Sequence, residues 1–165
     1  MKEPSAFDPL RAFGALKNHG VRFVVIGGFA GRIWGSPTVT NDVDICYARD
    51  GANLDRLAVA LSSLHARLRG APEAVPFRLD ARTLEAGDHF TFATDAGNLD
   101  CLGVPAGSRG YEDLASTAKE FDLGRLKVNV AALEDLIRMK RAAGRSKDRI
   151  EIEVLKALQE EIEES

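Results

Sequence analysis

Apolar residues recur along the chain with two different periods, and the order in which these periods alternate predicts the secondary structure. Helical periods and helix-ending glycines predict helices at 7–20, 29–34, 54–68, 111–118, 133–143 and 147–163. Short apolar or alternating runs predict strands at 21–28 and 42–48, and a hairpin at 89–104 with its turn at 95–98. Residues 69–76 are predicted to form a loop, and 77–87 fit neither pattern. The run 121–131 fits either a strand pair or one strand with a turn.

This order of elements is typical of an α/β (α+β) fold with a small mixed sheet flanked by helices and a helical pair at its C-terminal end. Asn53 is expected to cap the 54–68 helix. With 165 residues, 45% of them hydrophobic, we expect a single domain that spans 1–165. No run approaches the ~20 apolar residues that cross a bilayer, and the first residues show no apolar signal segment. We therefore expect a cytoplasmic protein without a membrane partner.

Charge and cysteine content change this picture only locally. The net charge of −3 argues against a surface wholly devoted to nucleic acid. The range 138–149 nevertheless holds six basic residues against one acid, and 151–164 holds six glutamates against one lysine. Cys46 and Cys101 are too few for a disulfide scaffold, and strand alternation places them on different faces if the neighbouring acids converge. We expect both thiols to be reduced.

Two aspartates interrupt an apolar run that otherwise has the composition of a buried strand. Asp42 and Asp44 project to the same side of this strand, because successive side chains alternate between its faces. Two carboxylates at that separation repel each other unless a cation or a pKa shift relieves the repulsion. Magnesium takes hard oxygen ligands and is usually held by one or two carboxylates together with substrate phosphates. The pair therefore predicts a magnesium site.

A glycine pair ends the preceding strand and leads directly into a short helix. Gly27 and Gly28 allow an anion to approach the backbone, and the N-terminus of the helix offers free N–H groups and a positive dipole end. A glycine pair or an Asp-x-Asp sequence is weak evidence when it occurs alone. Together, with thirteen residues between them, they predict a site for a polyphosphate and its metal.

The glycine pair followed by "DVDI" resembles the signature of the nucleotidyltransferase superfamily, which includes DNA polymerase beta, the aminoglycoside nucleotidyltransferases and minimal bacterial nucleotidyltransferases. The strings "GNLDCLGVPAGSRGYEDL" and "LEDLIRMKRAAGRSKDRIEIEVL" resemble small bacterial members related to AbiEii-type toxins. The resemblance covers 21–158. It implies the nucleotidyltransferase fold and magnesium-dependent transfer of NMP from an NTP to a hydroxyl group.

The resemblance also implies a third carboxylate on a neighbouring strand, and the matching position is Asp100. The implied metal ligands are then Asp42, Asp44 and Asp100, and the third acid would also help to deprotonate the attacking hydroxyl. The alternative is that Asp100 is a solvated residue near the hairpin turn. Flanking leucines at 99 and 102 favour the functional interpretation.

Lys140 falls on the apolar face of its predicted helix, because it follows three apolar residues at helical spacing. The position of Lys140 is equally explained if its side chain extends past the helix end and holds its charge in solvent. The resemblance implies that Lys140 is catalytic and binds nucleotide, together with Lys147 and Asp148, in addition to Gly27 and Gly28. Asp148 is also explained as a first-turn acid that is favourable with the helix dipole.

The chain departs from related sequences at two positions. Thr38 stands where they often carry an arginine, and Trp34 where they often carry a histidine. Loss of that arginine would affect phosphate or substrate binding. Arg32 is a candidate replacement, but a role at the protein surface is the simpler interpretation of Arg32. We interpret His89 as an ordinary strand residue.

Three hypotheses for function follow. The first is a nucleotidyltransferase whose acceptor is RNA, at the 3′ end of tRNA, acting as the toxin of a toxin–antitoxin system with an antitoxin protein as partner. The basic range 138–149 and the resemblance motivate it. The second is a non-catalytic nucleotide-binding or antitoxin-like protein, against which the three retained acids argue. The third is a small-molecule, antibiotic-modifying nucleotidyltransferase, for which we expect the chain to be short.

Overall fold

The structure, a computed structural model, describes residues 6–70 and 77–165. The helices in these ranges are α1 (Pro9–Asn18), α2 (Gly27–Trp34), α3 (Gly51–Ser63), α4 (Ala81–Ala86), α5 (Tyr111–Thr117), α6 (Leu133–Ala143) and α7 (Asp148–Glu164). The strands are β1 (Phe23–Ile26), β2 (Asp42–Tyr47), β3 (Arg67–Leu68), β4 (His89–Thr94), β5 (Gly97–Leu102), β6 (Lys119–Asp122) and β7 (Lys127–Val130). Of the predicted 69–76 loop, residues 71–76 lie outside the described part of the chain.

The described strands form one mixed sheet in the order β3-β4-β5-β2-β1-β7-β6. β2 pairs with β5 in parallel and with β1 antiparallel, while β1 pairs with β7 in parallel. Helices flank the sheet, and α6 packs against α7 as the C-terminal helical pair. The predicted fold class is therefore confirmed. Among the described residues, no helix combines the length and the apolar composition needed to cross a bilayer.

Strand alternation separates a core face of the sheet from a polar face. On β2 and β5 the residues between the aspartates are buried in the main core: Val43, Ile45, Leu99 and Cys101. These side chains pack in the same cluster as apolar residues of α1 and α3. Both cysteines are buried and free. Burial of one face fixes the strand register, so the aspartates are held on the other face.

The predicted bounds of α3 are wrong at both ends. Asp50, not Asn53, caps the helix, since the Asp50 carboxylate accepts a hydrogen bond from the backbone N–H of Asn53. The helix ends at Ser63, and His65 then takes a positive φ of 52°. The chain turns there so that β3 can pair with β4. Strand pairing overrides the helical spacing of the leucines in this segment.

Smaller differences occur at three other elements. The ambiguous range 77–87 contains α4, which Asp80 caps by accepting from the N–H of Thr83. The range 121–131 contributes to a strand pair, β6 and β7, that already begins at Lys119. The hairpin of β4 and β5 is confirmed, but Thr94 pairs with Gly97, so its turn has two residues instead of four.

Asn53 connects α3 to the start of β1 and the end of β2 from a fully buried position. Its side-chain oxygen accepts from the N–H of Arg22 at 2.8 Å, and its amide nitrogen donates to the carbonyl of Ala48 at 2.7 Å. We expect Asn53→Ala to lower the free energy of unfolding by about 2–3 kcal/mol, because buried backbone groups lose their partners. Urea unfolding measures this.

Asn18→Ala is the matched control, since Asn18 is exposed at the end of α1. It should change the free energy of unfolding by less than about 0.5 kcal/mol. Similar losses in the two variants would show that the buried amide has no special role.

Candidate active site

Asp44 and Asp100 lie side by side because the parallel pairing of β2 and β5 aligns them. The pKa of the Asp44 carboxyl is raised from its ordinary 3.8 to about 7, and burial is the largest cause. The charge of Asp100, a hydrogen bond to Asp100 and the charge of Asp42 contribute to this rise, while the charge of Lys140 opposes it. Two carboxyl groups form a hydrogen bond only when one of them carries a proton. The pair is therefore a place where a cation can replace a proton.

Gly27 is required by the position of Asp44. It adopts a positive φ of 74°, and a Cβ atom there would lie 2.1 Å from Oδ2 of Asp44. No side chain larger than hydrogen is compatible with this contact. Gly27 is also the first residue of α2, which begins without a side-chain cap hydrogen bond. At Gly28 the nearest neighbour of an added Cβ is the Thr40 side chain at 3.4 Å, so steric exclusion is weaker there.

A cavity of about 260 Å³ opens beside the two acids. Its polar lining comes from both acids and from three basic residues, His89, Lys140 and Arg145. Most of the remaining lining is apolar and comes from β1, β5, the segment after β5 and α6: Ile26, Leu102, Pro105, Ala106, Leu136, Met139 and Ala143. The cavity therefore has a charged end at the sheet and an apolar wall that α6 and the segment after β5 largely form.

Asp148 holds the basic side chains of the helical pair in place. Its carboxylate accepts from Nε and Nη2 of Arg145 at 2.8 and 3.3 Å. Nζ of Lys140 lies 3.7 Å from Oδ1 of Asp148, and the two side chains are only 13% and 6% exposed. Lys140 is thus enclosed beside the cavity, not extended into solvent. Asp148 lies in the first turn of α7, which agrees also with its interpretation as an acid that is favourable with the helix dipole.

Other residues singled out from the sequence lie elsewhere. Lys147 is exposed at the start of α7 and does not line the cavity. Thr38 donates its hydroxyl to the carboxylate of the buried Glu151, so the position of the expected arginine faces α7. Trp34 donates from its indole nitrogen to the carbonyl of Ala131 at 2.9 Å, which is a structural role. Arg32 is exposed on α2.

Three residues near the acids were not predicted. His89 and Arg145 line the cavity, and Nη2 of Arg69 lies 3.1 Å from Oδ1 of Asp100. For His89, strand alternation was a signal in the sequence. His89 pairs with Leu102, which lies two residues after Asp100 on β5, so His89 faces the same side of the sheet as Asp100. Arg69 carried no such signal, because its segment was assigned to a helix end and a loop.

The acids fit a magnesium ion that is completed by substrate. Within 6–70 and 77–165, no group of three or more Asp, Glu, His or Cys side chains is close enough to hold a metal by itself. Asp44 and Asp100 nevertheless lie side by side on paired strands, and Asp42 lies on the same face two residues before Asp44. Magnesium commonly needs only one or two carboxylates, because phosphates and waters supply the other ligands. The donor chemistry is therefore suitable.

Comparison with known proteins finds likeness in structure alone, since no protein-family model and no curated protein sequence matches the chain. The lincosamide antibiotic adenylyltransferase LnuA, solved with lincomycin, is 12% identical with a TM-score of 0.62, over 93% of this chain and 99% of that one. ANT(2″)-Ia, solved with adenylyl-2″-tobramycin, is 17% identical with a TM-score of 0.58, over 93% and 87%. A nucleotidyltransferase structure from Thermotoga maritima is 16% identical with a TM-score of 0.54, over 95% and 91%. The chain therefore has the nucleotidyltransferase fold.

Proposed function

We propose that the protein is a magnesium-dependent nucleotidyltransferase that moves NMP from an NTP to a hydroxyl group and releases pyrophosphate. The observation that carries this proposal is the contact of Asp44 with Asp100 at the charged end of the cavity, beside Gly27 at the start of α2. Like charges that are brought together and partly buried are a common sign of a functional site. The fold and the resemblance in sequence both agree with this chemistry.

The residues around the acids would have different roles in the reaction. Free N–H groups at the start of α2 would bind the triphosphate, and Lys140, held by Asp148, would place its ammonium group against it. Asp42, Asp44 and Asp100 would hold magnesium, which when bound neutralises charge on the reacting phosphate and on the leaving pyrophosphate. Asp100 would also accept the proton of the attacking hydroxyl. Catalysis then consists of positioning and electrostatic stabilisation, with no covalent protein intermediate.

For the acceptor, we propose the 3′ end of an RNA such as tRNA, with a toxin role and a cognate antitoxin in the manner of the AbiEii-type group. Five of the six basic residues in 138–149 are exposed: Arg138, Arg141, Arg145, Lys147 and Arg149. Carboxylates of this chain engage Arg138 and Arg145, and also the more enclosed Lys140. The exposed Arg141, Lys147 and Arg149 are available for phosphate contacts.

A small-molecule acceptor is the second candidate, and the comparison with LnuA favours it. The expectation that this chain is too short for an antibiotic-modifying enzyme is wrong, because LnuA aligns with it over 99% of its own length. The apolar wall of the cavity, which includes Leu136 and Met139, is typical of a surface that binds a ring system. Retention of all three acids argues against the non-catalytic alternative.

The aspartates test the metal assignment. We expect Asp42→Asn and Asp44→Asn each to fold and to lose at least about 100-fold in NMP transfer, since each removes a ligand charge with little change of volume. Asp100→Asn should lose turnover but retain more NTP binding, because it also serves the acceptor. Asp55→Asn, at an exposed position of α3, is the control. Transfer from α-labelled NTP and NTP binding are measured, and wild-type turnover in either of the first two variants contradicts the assignment.

The raised pKa of Asp44 predicts a pH-dependent stability. Because this pKa rises from 3.8 unfolded to about 7 folded, the folded state binds more protons in that window, and stability falls as pH increases through it. Asn carries no charge at any pH. In EDTA at pH 8 the Tm of Asp44→Asn should therefore exceed the wild-type Tm by roughly 2–6 °C, and the difference should disappear below about pH 4. Thermal melts across this range measure it, and a constant difference would contradict the assigned pKa shift.

The acceptor is identified by labelling. Purified protein is incubated with magnesium, cell extract and each of the four α-labelled NTPs, and RNA, protein and small molecules are then separated. We expect label at RNA 3′ ends. Label in the small-molecule fraction would support the antibiotic-modifying candidate instead. Absence of incorporation from any NTP, with measurable NTP binding, would support the non-catalytic alternative.

A further inference from the structure

A row of side chains crosses the sheet from the acids to its β3 edge. Asp44 pairs with Asp100, and Asp100 pairs with Thr91 of β4. The N–H of Arg69, the residue after β3, donates to the carbonyl of Thr91 at 2.9 Å and continues the same register. Residues that face each other across paired strands project to one face. Arg69 therefore lies on the face of the carboxylates.

A second arginine lies on this face in the next row. Arg67 pairs with Ala93, Ala93 with Asn98, and Asn98 with Asp42. Arg67 is exposed. The edge of the carboxylate face is thus positively charged, although the chain as a whole has a net charge of −3.

Arg69 contacts Asp100, but this contact does not use all of the N–H donors of Arg69. Its Nη2 lies 3.1 Å from Oδ1 of Asp100, with side-chain exposures of 34% and 15%. Its Nη1 is buried and has no hydrogen-bond acceptor in the part of the chain that the structure describes. A guanidinium group has five N–H donors in a planar fork, so it can contact Asp100 and a second anionic group together.

The direction of the proposed reaction places the acceptor over these arginines. In the proposed reaction the triphosphate end of the donor would bind at Gly27, which packs against Asp44. In phosphoryl transfer the attacking and leaving oxygens are roughly in line, on opposite sides of the phosphorus. The attacking hydroxyl would therefore lie on the Asp100 side, and the rest of the acceptor would extend over β4 toward Arg69 and Arg67.

We propose that Arg69 and Arg67 form an acceptor subsite that selects a hydroxyl compound with a phosphate group close to the reacting hydroxyl. This inference rests on the proposed transfer reaction and specifies its acceptor. Two guanidinium groups bind phosphate oxygens well and repel a polycation. The phosphate belongs either to an RNA chain that ends in a 3′ hydroxyl or to a small phosphorylated compound.

The test measures acceptor binding directly, in the presence of magnesium and a non-hydrolysable NTP. The probes are the dinucleoside monophosphate cytidylyl-adenosine, which carries the phosphate, and neutral adenosine, which lacks it. Arg69→Gln should weaken binding of the first probe about 10-fold and change binding of adenosine less than about 2-fold. The slope of log affinity against log salt concentration should become less negative by about one.

Two further variants separate an acceptor role from support of Asp100. Arg67→Gln removes a charge from the same face at a residue that does not pair with Asp100, and it should also weaken only the phosphate probe, by about 3-fold. Arg125→Gln is the matched control, since Arg125 is exposed between β6 and β7 at the opposite edge of the sheet. It should leave both probes unchanged. Thermal melting checks that all three variants fold.

Several results would overturn the subsite. Equal weakening of both probes by Arg69→Gln would assign this arginine to holding Asp100. Tighter binding of tobramycin than of the phosphate probe by the wild type would show a cationic acceptor. Failure of the wild type to bind any phosphate probe, with NTP binding intact, would overturn the subsite alone, whereas loss of NTP binding would contradict the proposed function. Comparison of a 3′-hydroxyl oligoribonucleotide with ribose 5-phosphate then identifies the source of the phosphate.

Discussion

The contact between Asp44 and Asp100 is the constraint on which the rest of this site depends. Two carboxyl groups that are partly withdrawn from water repel each other, as the elevated pKa of Asp44 shows. They stay together because the strands that carry them are hydrogen-bonded in register, and because the alternate side chains of both strands are buried in the core. Packing free energy from one face of the sheet thus maintains an unfavourable charge arrangement on the other face.

Cations are placed on both sides of this acidic pair. Lys140 approaches from α6 and is oriented by Asp148, whose carboxylate also binds Arg145. Arg69 approaches from the β3 edge and contacts Asp100. The donor and acceptor halves of the proposed reaction would therefore each have a basic group. A buried acidic cluster with such neighbours can accept magnesium and phosphate without a large change in local charge.

The apolar wall of the cavity depends on close packing between α6 and the segment that follows β5. Gly107 has a φ of +82°, and a Cβ atom there would lie 2.9 Å from the carbonyl oxygen of Arg138 and 3.1 Å from Cα of Met139. Only glycine permits this approach. Pro105 and Ala106 consequently line the cavity together with Met139.

Local sequence determined much of the fold and the acidic centre. Alternation of Asp42 and Asp44 with buried residues, the glycine pair at the junction of β1 and α2, and the helical spacing in α6 each predicted an element or its polar face, because these patterns depend on neighbours within a few residues. Only the tertiary structure decided that α3 ends at Ser63, that Arg69 reaches Asp100, and that Lys147 lies away from the cavity. Each of these depends on pairing or packing between segments that are far apart in the chain. The free energy of such contacts exceeds local secondary-structure propensity, and the contacts leave no periodic signal in the sequence.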